Sequence, residues 1–209
     1  MIDVLCLIKM GKEEHIYDMF ENGTLYCRAL QVFRKIEDGN VRGDKHEGAQ
    51  RIINSPPGSF EIPTANGPVK INYEKLHLVE SQEGVYGNVF CLYAVTANDV
   101  NESLVVDFDP RVSEFGTHAL AIKNMPLFFT MLEAKLDEMN LSYDHGLVEY
   151  YDASSHSGSL SVFHKPSEYA YQKEFRLYIQ NEDKEHKPLT IQLGSLKEIS
   201  EVRKIILPQ

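Results

Sequence analysis

Apolar and polar positions alternate along this chain in short runs, and the period of each run sets the element it predicts. Val4 to Ile8 is a short apolar strand that Gly11 breaks. Ile16, Met19 and Phe20 then recur at helical spacing, and Asn22-Gly23 supplies a C-terminal stop. Thr24 to Leu30 predicts a second strand, with Val32-Phe33 beginning a short helix or continuing across the sheet. If the two strands are parallel, this unit is an early crossover, right-handed by the usual rule. Asn66-Gly67, between Glu61-Ile62 and Val69-Ile71, predicts a hairpin whose neighbouring prolines confine it to edge strands. Leu76–Val79 is a further strand, and Val89 to Val95 is apolar almost throughout, as expected of a central strand covered on both faces.

His118 to Ile122 predicts a strand, and one helix follows it. Asn124 is its N-cap, Pro126 lies in its first turn, and Leu127, Phe128, Met131, Leu132, Lys135, Leu136 and Met139 form its stripe. Beyond it come expected strands at Leu147–Tyr151, Leu160–Phe163, Glu174–Ile179 and Leu189–Leu193. Pro166 to Tyr171 is a turn or one helical turn, and Leu196 to Val202 is a short terminal helix. The sum is an α+β chain, expected as a single domain over residues 1–209, with many short strands in a mixed, strongly bent sheet and one principal helix.

Composition narrows the function classes. Lys plus Arg number 21 against 31 for Asp plus Glu, a net charge of −10, which disfavours a broad basic surface for nucleic acid. A small basic patch at Arg28, Arg34, Lys35 and Arg42 could still touch one, though such residues more often form an ordinary charged surface. Cys6, Cys27 and Cys91 are widely spaced among apolar neighbours, which predicts buried reduced thiols and neither a zinc site nor a disulfide scaffold. The N-terminal apolar run is far shorter than a membrane span and lacks a basic leader, so the expectation is a cytoplasmic protein without membrane contact.

The strongest chemical pattern is Gln172-Lys173-Glu174-Phe175-Arg176-Leu177-Tyr178-Ile179. Alternation sends Phe175, Leu177 and Ile179 to a core, and lines Gln172, Glu174, Arg176 and Tyr178 along the other face. A carboxylate beside a guanidinium stays ionised, and could hold a ribose hydroxyl or stabilise an oxocarbenium ion. The same row also fits the solvent face of an amphipathic strand with a cross-strand ion pair, which is its commoner origin. Asp44, His46 and Glu47 include metal-ligand types, but their spacing fits no EF-hand or HExxH pattern; an exposed charged loop, or one that Arg42 anchors to an anionic group, accounts for them better. His145 and His156 are expected in turns, and Tyr150-Tyr151, Tyr169 and Tyr171 could stack on a base or nicotinamide ring, or simply pack.

Two resemblances extend this reading. Val89 to Tyr93, the strand around Gly116 to Ile122, and Phe163-His-Lys165-Pro166…Tyr169-Ala-Tyr171-Gln-Lys-Glu174-Phe-Arg176 resemble a bacterial family of unknown function with a Lys-Pro…Tyr-x-x-Glu-x-Arg block. That resemblance implies a cytoplasmic bacterial or phage origin. The opening from Lys9 through His15-Ile-Tyr-Asp-Met-Phe-Glu-Asn-Gly23 is similar to that of the DarT-like ADP-ribosyltransferases. It implies a split sheet, NAD as cofactor with no metal, and transfer of ADP-ribose to a macromolecular protein or nucleic-acid acceptor, as in a toxin or phage-defence component. Glu174 and Gln172 would then be catalytic, and Lys9, Tyr93, Arg42 and Arg176 would bind the cofactor. Those enzymes usually carry His or Arg where this chain has Lys9, so a non-catalytic protein- or nucleotide-binding module of the same fold is the alternative. A metal-dependent nuclease using Asp44, His46 and Glu47 is a further one.

Overall fold

A computed structural model describes residues 4–35, 46–80, 85–100, 106, 108–181 and 185–205. The strands are β1 (Val4–Gly11), β2 (Thr24–Ala29), β3 (Arg51–Ser55), β4 (Gly58–Ile62), β5 (Val69–Tyr73), β6 (Leu76–Val79), β7 (Gly87–Thr96) and β8 (His118–Ile122). They continue with β9 (Ser142–Leu147), β10 (Glu149–Tyr151), β11 (Gly158–Ser159), β12 (His164–Pro166), β13 (Glu174–Gln180), β14 (Leu189–Gln192) and β15 (Ser200–Lys204). The helices are α1 (Glu13–Asn22), α2 (Leu30–Lys35) and α3 (Met125–Glu138). The architecture is α+β and mainly sheet, with about 45% strand and, counting 3-10 turns, 24% helix among the described residues.

The main sheet forks at β7. Tyr93 pairs with Ile8 of β1 and with Glu174 of β13, so those two strands lie on opposite edges of β7. Val89 likewise pairs with Arg28 of β2 and Tyr178 of β13. One edge of β7 therefore runs unbroken along β13, which passes on to β9. The other edge is shared end to end by β2, which leads to β14, and β1, which leads to β8 and β15. β1 and β2 are both antiparallel to β7 and hence parallel to each other, as the crossover reading requires.

One face of this sheet packs against α1 and α3. Leu7, Leu25, Leu92, Leu120 and Leu177 meet Ile16 and Met19 of α1 and Phe128, Leu132 and Leu136 of α3 in one buried cluster. α1 begins with Glu13 and Glu14, whose charges suit the positive end of the helix dipole, and ends at Gly23 in the left-handed region. α3 starts as expected, with the Asn124 side chain accepting from the Leu127 N–H at 3.1 Å and Pro126 in the first turn.

Several boundaries depart from the sequence expectation. The strand expected at Leu147–Tyr151 is two strands, β9 ending at Leu147 and β10 beginning at Glu149. His145 therefore sits in a strand, stacked on Phe129 at 5.0 Å between centroids, and not in a turn. Leu160–Phe163 is not a strand, because Ser161 folds back to accept and donate hydrogen bonds around His164 and turns the chain. The terminal helix expected at Leu196–Val202 is a turn followed by β15, which pairs with β8 from Ser200↔Ile122 to Lys204↔His118.

Gly23 carries a specific load. A Cβ there would run into the carbonyl oxygen of Gly194, and the residue's φ of 66° is unfavourable for any other side chain. We expect Gly23→Ala to lower stability by more than about 1 kcal/mol, read as a lower urea midpoint with unchanged slope.

Candidate functional site

The sheet face opposite the helices gathers the charged residues of β13. Phe175, Leu177 and Ile179 point into the helix-side core, as the alternation predicts. Glu174 and Arg176 point the other way but do not face solvent: they are 4% and 1% exposed. The expectation of a solvent face with a cross-strand ion pair is thus overturned. The segment around 162–172 and the turn at 46–48 roof this face, and the pair lies within one strand, with Arg176 Nε donating to Glu174 Oε1 at 2.7 Å.

Four ionised groups close on one another here. Lys165 Nζ donates to Glu174 Oε2 at 2.6 Å and to Gln172 Oε1 at 2.9 Å. Arg176 spans Glu47 with both terminal nitrogens, and one of them also reaches the Val162 carbonyl. The Glu174 backbone N–H donates to the Tyr150 hydroxyl at 2.9 Å. Two carboxylates thus balance one guanidinium and one ammonium, all at most 4% exposed. Charges cut off from water must find partners of this kind, since an unpaired buried ion costs several kcal/mol.

Electrostatics follow from that closure. Burial raises the Glu174 carboxyl, but Arg176 and Lys165 outweigh it and hold the group well below the usual carboxylate range. Burial lowers the Lys165 ammonium, and Glu174 and Glu47 more than reverse it, so Lys165 is raised. Cys91, beside the pair on β7, is pushed by burial to about 12 and is a poor nucleophile at neutral pH. Burial also takes the Cys27 thiol to about 12.

The residues singled out in the sequence divide. Glu174, Gln172 and Arg176 come together, with Tyr93 on the same face directly opposite Glu174. Tyr93 packs among Val95, Val112 and Tyr171, with Phe108 at 5.2 Å between ring centroids. Lys9 is on the other side of the sheet. Ile8 shares the row of Tyr93 and Glu174, so the next residue projects from the opposite face, where Lys9 Nζ sits 4.3 Å from the Phe90 ring centroid and donates to the Cys91 carbonyl at 2.8 Å. Arg42 and Asp44 lie outside the described residues, as does the rest of 36–45. Glu47 is committed to Arg176, and among the described residues no three His, Cys, Asp or Glu side chains form a metal-binding group.

Lys9 and Glu174 therefore do not border one dinucleotide-sized pocket, and the described residues named for NAD do not fit that group as a set. A surface depression of about 380 Å³ beside Val162 and Tyr178 includes none of Lys9, Gln172 or Glu174 in its lining. Among the tyrosines proposed to stack on a base, Tyr150 serves Glu174 and Tyr171 lies under the Arg111 guanidinium at 3.8 Å. Lys165 and Glu47 carry the network yet had no such role in the sequence reading. Lys165 stood there only within the Lys-Pro block, and Glu47 only within a charged loop and as a candidate metal ligand.

Glu174→Gln leaves Lys165 and Arg176 short of a counter-charge in a dry setting, and we expect a loss of about 3–5 kcal/mol in urea unfolding. Because the folded carboxyl is depressed, its contribution is complete above the unfolded carboxylate value, about 4.3, and fades as pH falls below it. The wild-type melting temperature should drop between about pH 5 and pH 2, and that of Glu174→Gln should drop less. Comparison with known proteins adds no assignment to this geometry: no protein-family model, no curated protein and no solved structure matches the chain.

Proposed function

We propose that this chain is a protein-recognition module whose Glu47–Arg176–Glu174–Lys165 network is a scaffold and not a catalytic site. One observation carries this reading: both Glu174 oxygens are already engaged, one by Arg176 and the other by Lys165, on a residue 4% exposed. A carboxylate that is to hold a ribose hydroxyl or oppose a developing cation needs an oxygen facing substrate. Here each oxygen faces a fixed cation.

The network instead fixes positions. It ties the turn at 46–48, the Val162 carbonyl and Lys165 of β12 to the first residues of β13. A rigid body of this kind suits recognition, because little ordering remains to oppose binding.

A second reading keeps ADP-ribose transfer. It is favoured by the convergence of Gln172 and Glu174 on one point, the Lys165 ammonium, on the face that also holds Tyr93.

The experiment incubates purified protein and cell lysate with isotopically labelled NAD and follows label into macromolecules, for wild type and Glu174→Gln. We expect no transfer above a protein-free control in either sample, and no heat of binding for NAD or ADP-ribose by calorimetry. Label transfer by wild type that is lost in Glu174→Gln would overturn the recognition reading and establish the second.

A further inference from the structure

Lys165, Gln172 and Glu174 bring an amine, a carboxamide and a carboxylate together inside the protein, at 4%, 7% and 4% exposure. Lys123, Lys135, Lys173, Lys187 and Lys197 also meet carboxylates, but with 30–72% of their side chains exposed. Both sides of the buried contact are anchored. Lys165 lies in β12, paired with Tyr150 of β10. Gln172 ends the 3-10 turn that starts at Ser167, and Lys173 after it takes a φ of 39°, in the left-handed region. That bend leads the chain into β13, and Gln172 and Glu174 converge on one ammonium, which donates to them at 2.9 and 2.6 Å.

An ion pair needs only the carboxylate; the carboxamide adds an acyl group. Its carbon lies one C=O bond, about 1.2 Å, beyond Oε1, and so within about 4.1 Å of Lys165 Nζ. A rotation of the Gln172 amide closes that distance to the roughly 3–3.5 Å from which an amine attacks. The bond to Glu174 is shorter than the about 2.7–2.9 Å usual between ammonium and carboxylate, so the proton that must be removed already points at its acceptor.

We propose that Lys165 and Gln172 join in an intramolecular isopeptide bond, with Glu174 as the base. Glu174 Oε2 takes a proton from the Lys165 ammonium, and the neutral amine attacks the Gln172 carbonyl carbon. The Nζ–Cδ bond forms, the Cδ–Nε2 bond breaks, and a second proton from Nζ leaves with the departing nitrogen as ammonia. The first proton stays on Glu174, so the buried network carries no net charge before the step or after it, and Glu47 still faces Arg176. Water, the competing nucleophile, is kept out by burial. Ammonia is diluted into solvent, which draws the exchange to completion. Arg176 favours the ionised form of Glu174, so the neutral amine is a minor state and the step is slow. The ion pair described above is the chain before this step. Its substrate is the chain itself, so Glu174 needs no oxygen turned to a free ligand, and the proposal goes beyond the recognition reading without depending on it.

Intact mass spectrometry of the denatured full chain, sampled over several days after purification, tests the bond. The mass should fall about 17 Da below the sequence value, one ammonia per chain. Chymotrypsin cuts after Tyr169 and Tyr171, and the pieces holding Lys165 and Gln172 should stay joined. Gln172→Leu removes the acyl group and should keep both its full mass and its circular dichroism spectrum. Glu174→Gln should stay unlinked, and Glu174→Asp, which keeps a carboxylate but withdraws it, should link more slowly than wild type. A wild-type mass that stays at the full value would overturn the proposal. So would an ammonia loss that persists in Gln172→Leu or maps to Asn66-Gly67 as a succinimide, or linkage of Glu174→Gln at the wild-type rate. Label transfer from NAD bears only on the recognition reading, so the two fail separately.

Discussion

A guanidinium in the middle of a buried strand has to be given acceptors, and much of this fold can be traced to how Arg176 obtains them. The side chain is 1% exposed and carries five N–H donors that water does not reach. Glu174 supplies one acceptor from two residues upstream on the same strand. The others come from Glu47, 129 residues away, and from the Val162 carbonyl. Satisfying one side chain therefore draws two remote stretches of chain onto the same spot. The carboxylates recruited for Arg176 create a surplus of negative charge in turn, and Lys165 removes it. A buried cluster of this kind is not an efficient source of net stability, because its Coulomb energy is largely offset by desolvation. Its stronger effect is on register. A one-residue slip of β13 would drive Glu174 and Arg176 into the face packed against α3, and put Phe175 and Leu177 among the charges. A slip of one residue in either direction therefore leaves neither face satisfied.

That constraint explains the division of labour around β7. Its residues alternate between a helix side, where Phe90 and Leu92 join the large apolar cluster, and the side of Cys91 and Tyr93. Both sides are covered, which is why the strand is apolar almost throughout. The covers differ in kind: helices on one side, short strands, a 3-10 turn from Ser167 to Gln172 and loops on the other. Loops over a sheet leave backbone groups without ladder partners, and here they are tied individually, as with the Val148 N–H to the Glu174 carbonyl at 2.8 Å and the Glu149 N–H to the Phe163 carbonyl at 2.7 Å. The fork follows from the same geometry, since the edge of β7 away from β13 is long enough to receive β2 and β1 in succession.

What was legible in the sequence was mostly local. α1 with its Gly23 stop, α3 with its Asn124 cap, the Asn66-Gly67 hairpin and the alternation of β13 are each set by residues within a few positions of one another. The failures have non-local causes. Leu196, Ile199 and Val202 are spaced as on a helix, yet the backbone around them pairs with β8, and pairing with a distant strand outweighs a weak helical stripe. Asp144-His145-Gly146 has the chemistry of a turn, but these residues lie in β9 because β13 offers a free edge. The site divides on the same line. Glu174 and Arg176 were visible as neighbours on one strand face, with Gln172 just before them, whereas the carboxylate and ammonium that pair with them come from segments whose approach no short pattern encodes. Period-two alternation also assigns a residue to one of two faces without saying which is wet. Glu174, Arg176 and Tyr178 form the expected row on β13, whereas Gln172 reaches Lys165 from the 3-10 turn before the strand; the burial of the row became apparent only with the roof in place.

Lys9 shows how sharply parity separates the two sides of a sheet. One residue earlier in β1, its amine would share a row with Tyr93 and Glu174; where it stands, it lies against Phe90 on the other side. Order along the chain is therefore weak ground for a shared site, even when strand, helix, glycine and strand follow in the expected sequence. The strands β3 to β6 are a case where order along the chain understates the structure. Four short strand-like pieces among prolines become a single ribbon once their common register is seen, and its orientation is set at the base. The Asn54 amide donates to the Ala153 and His156 carbonyls while its oxygen meets His77 Nδ1 at 2.8 Å, and its backbone N–H donates to Ser157 Oγ at 2.8 Å. With the base fixed this way, the apolar side of the outer ribbon is held in one orientation. The entropy of orienting the ribbon is then a cost of folding, offset by the hydrogen bonds and the burial of Ile52 at the base.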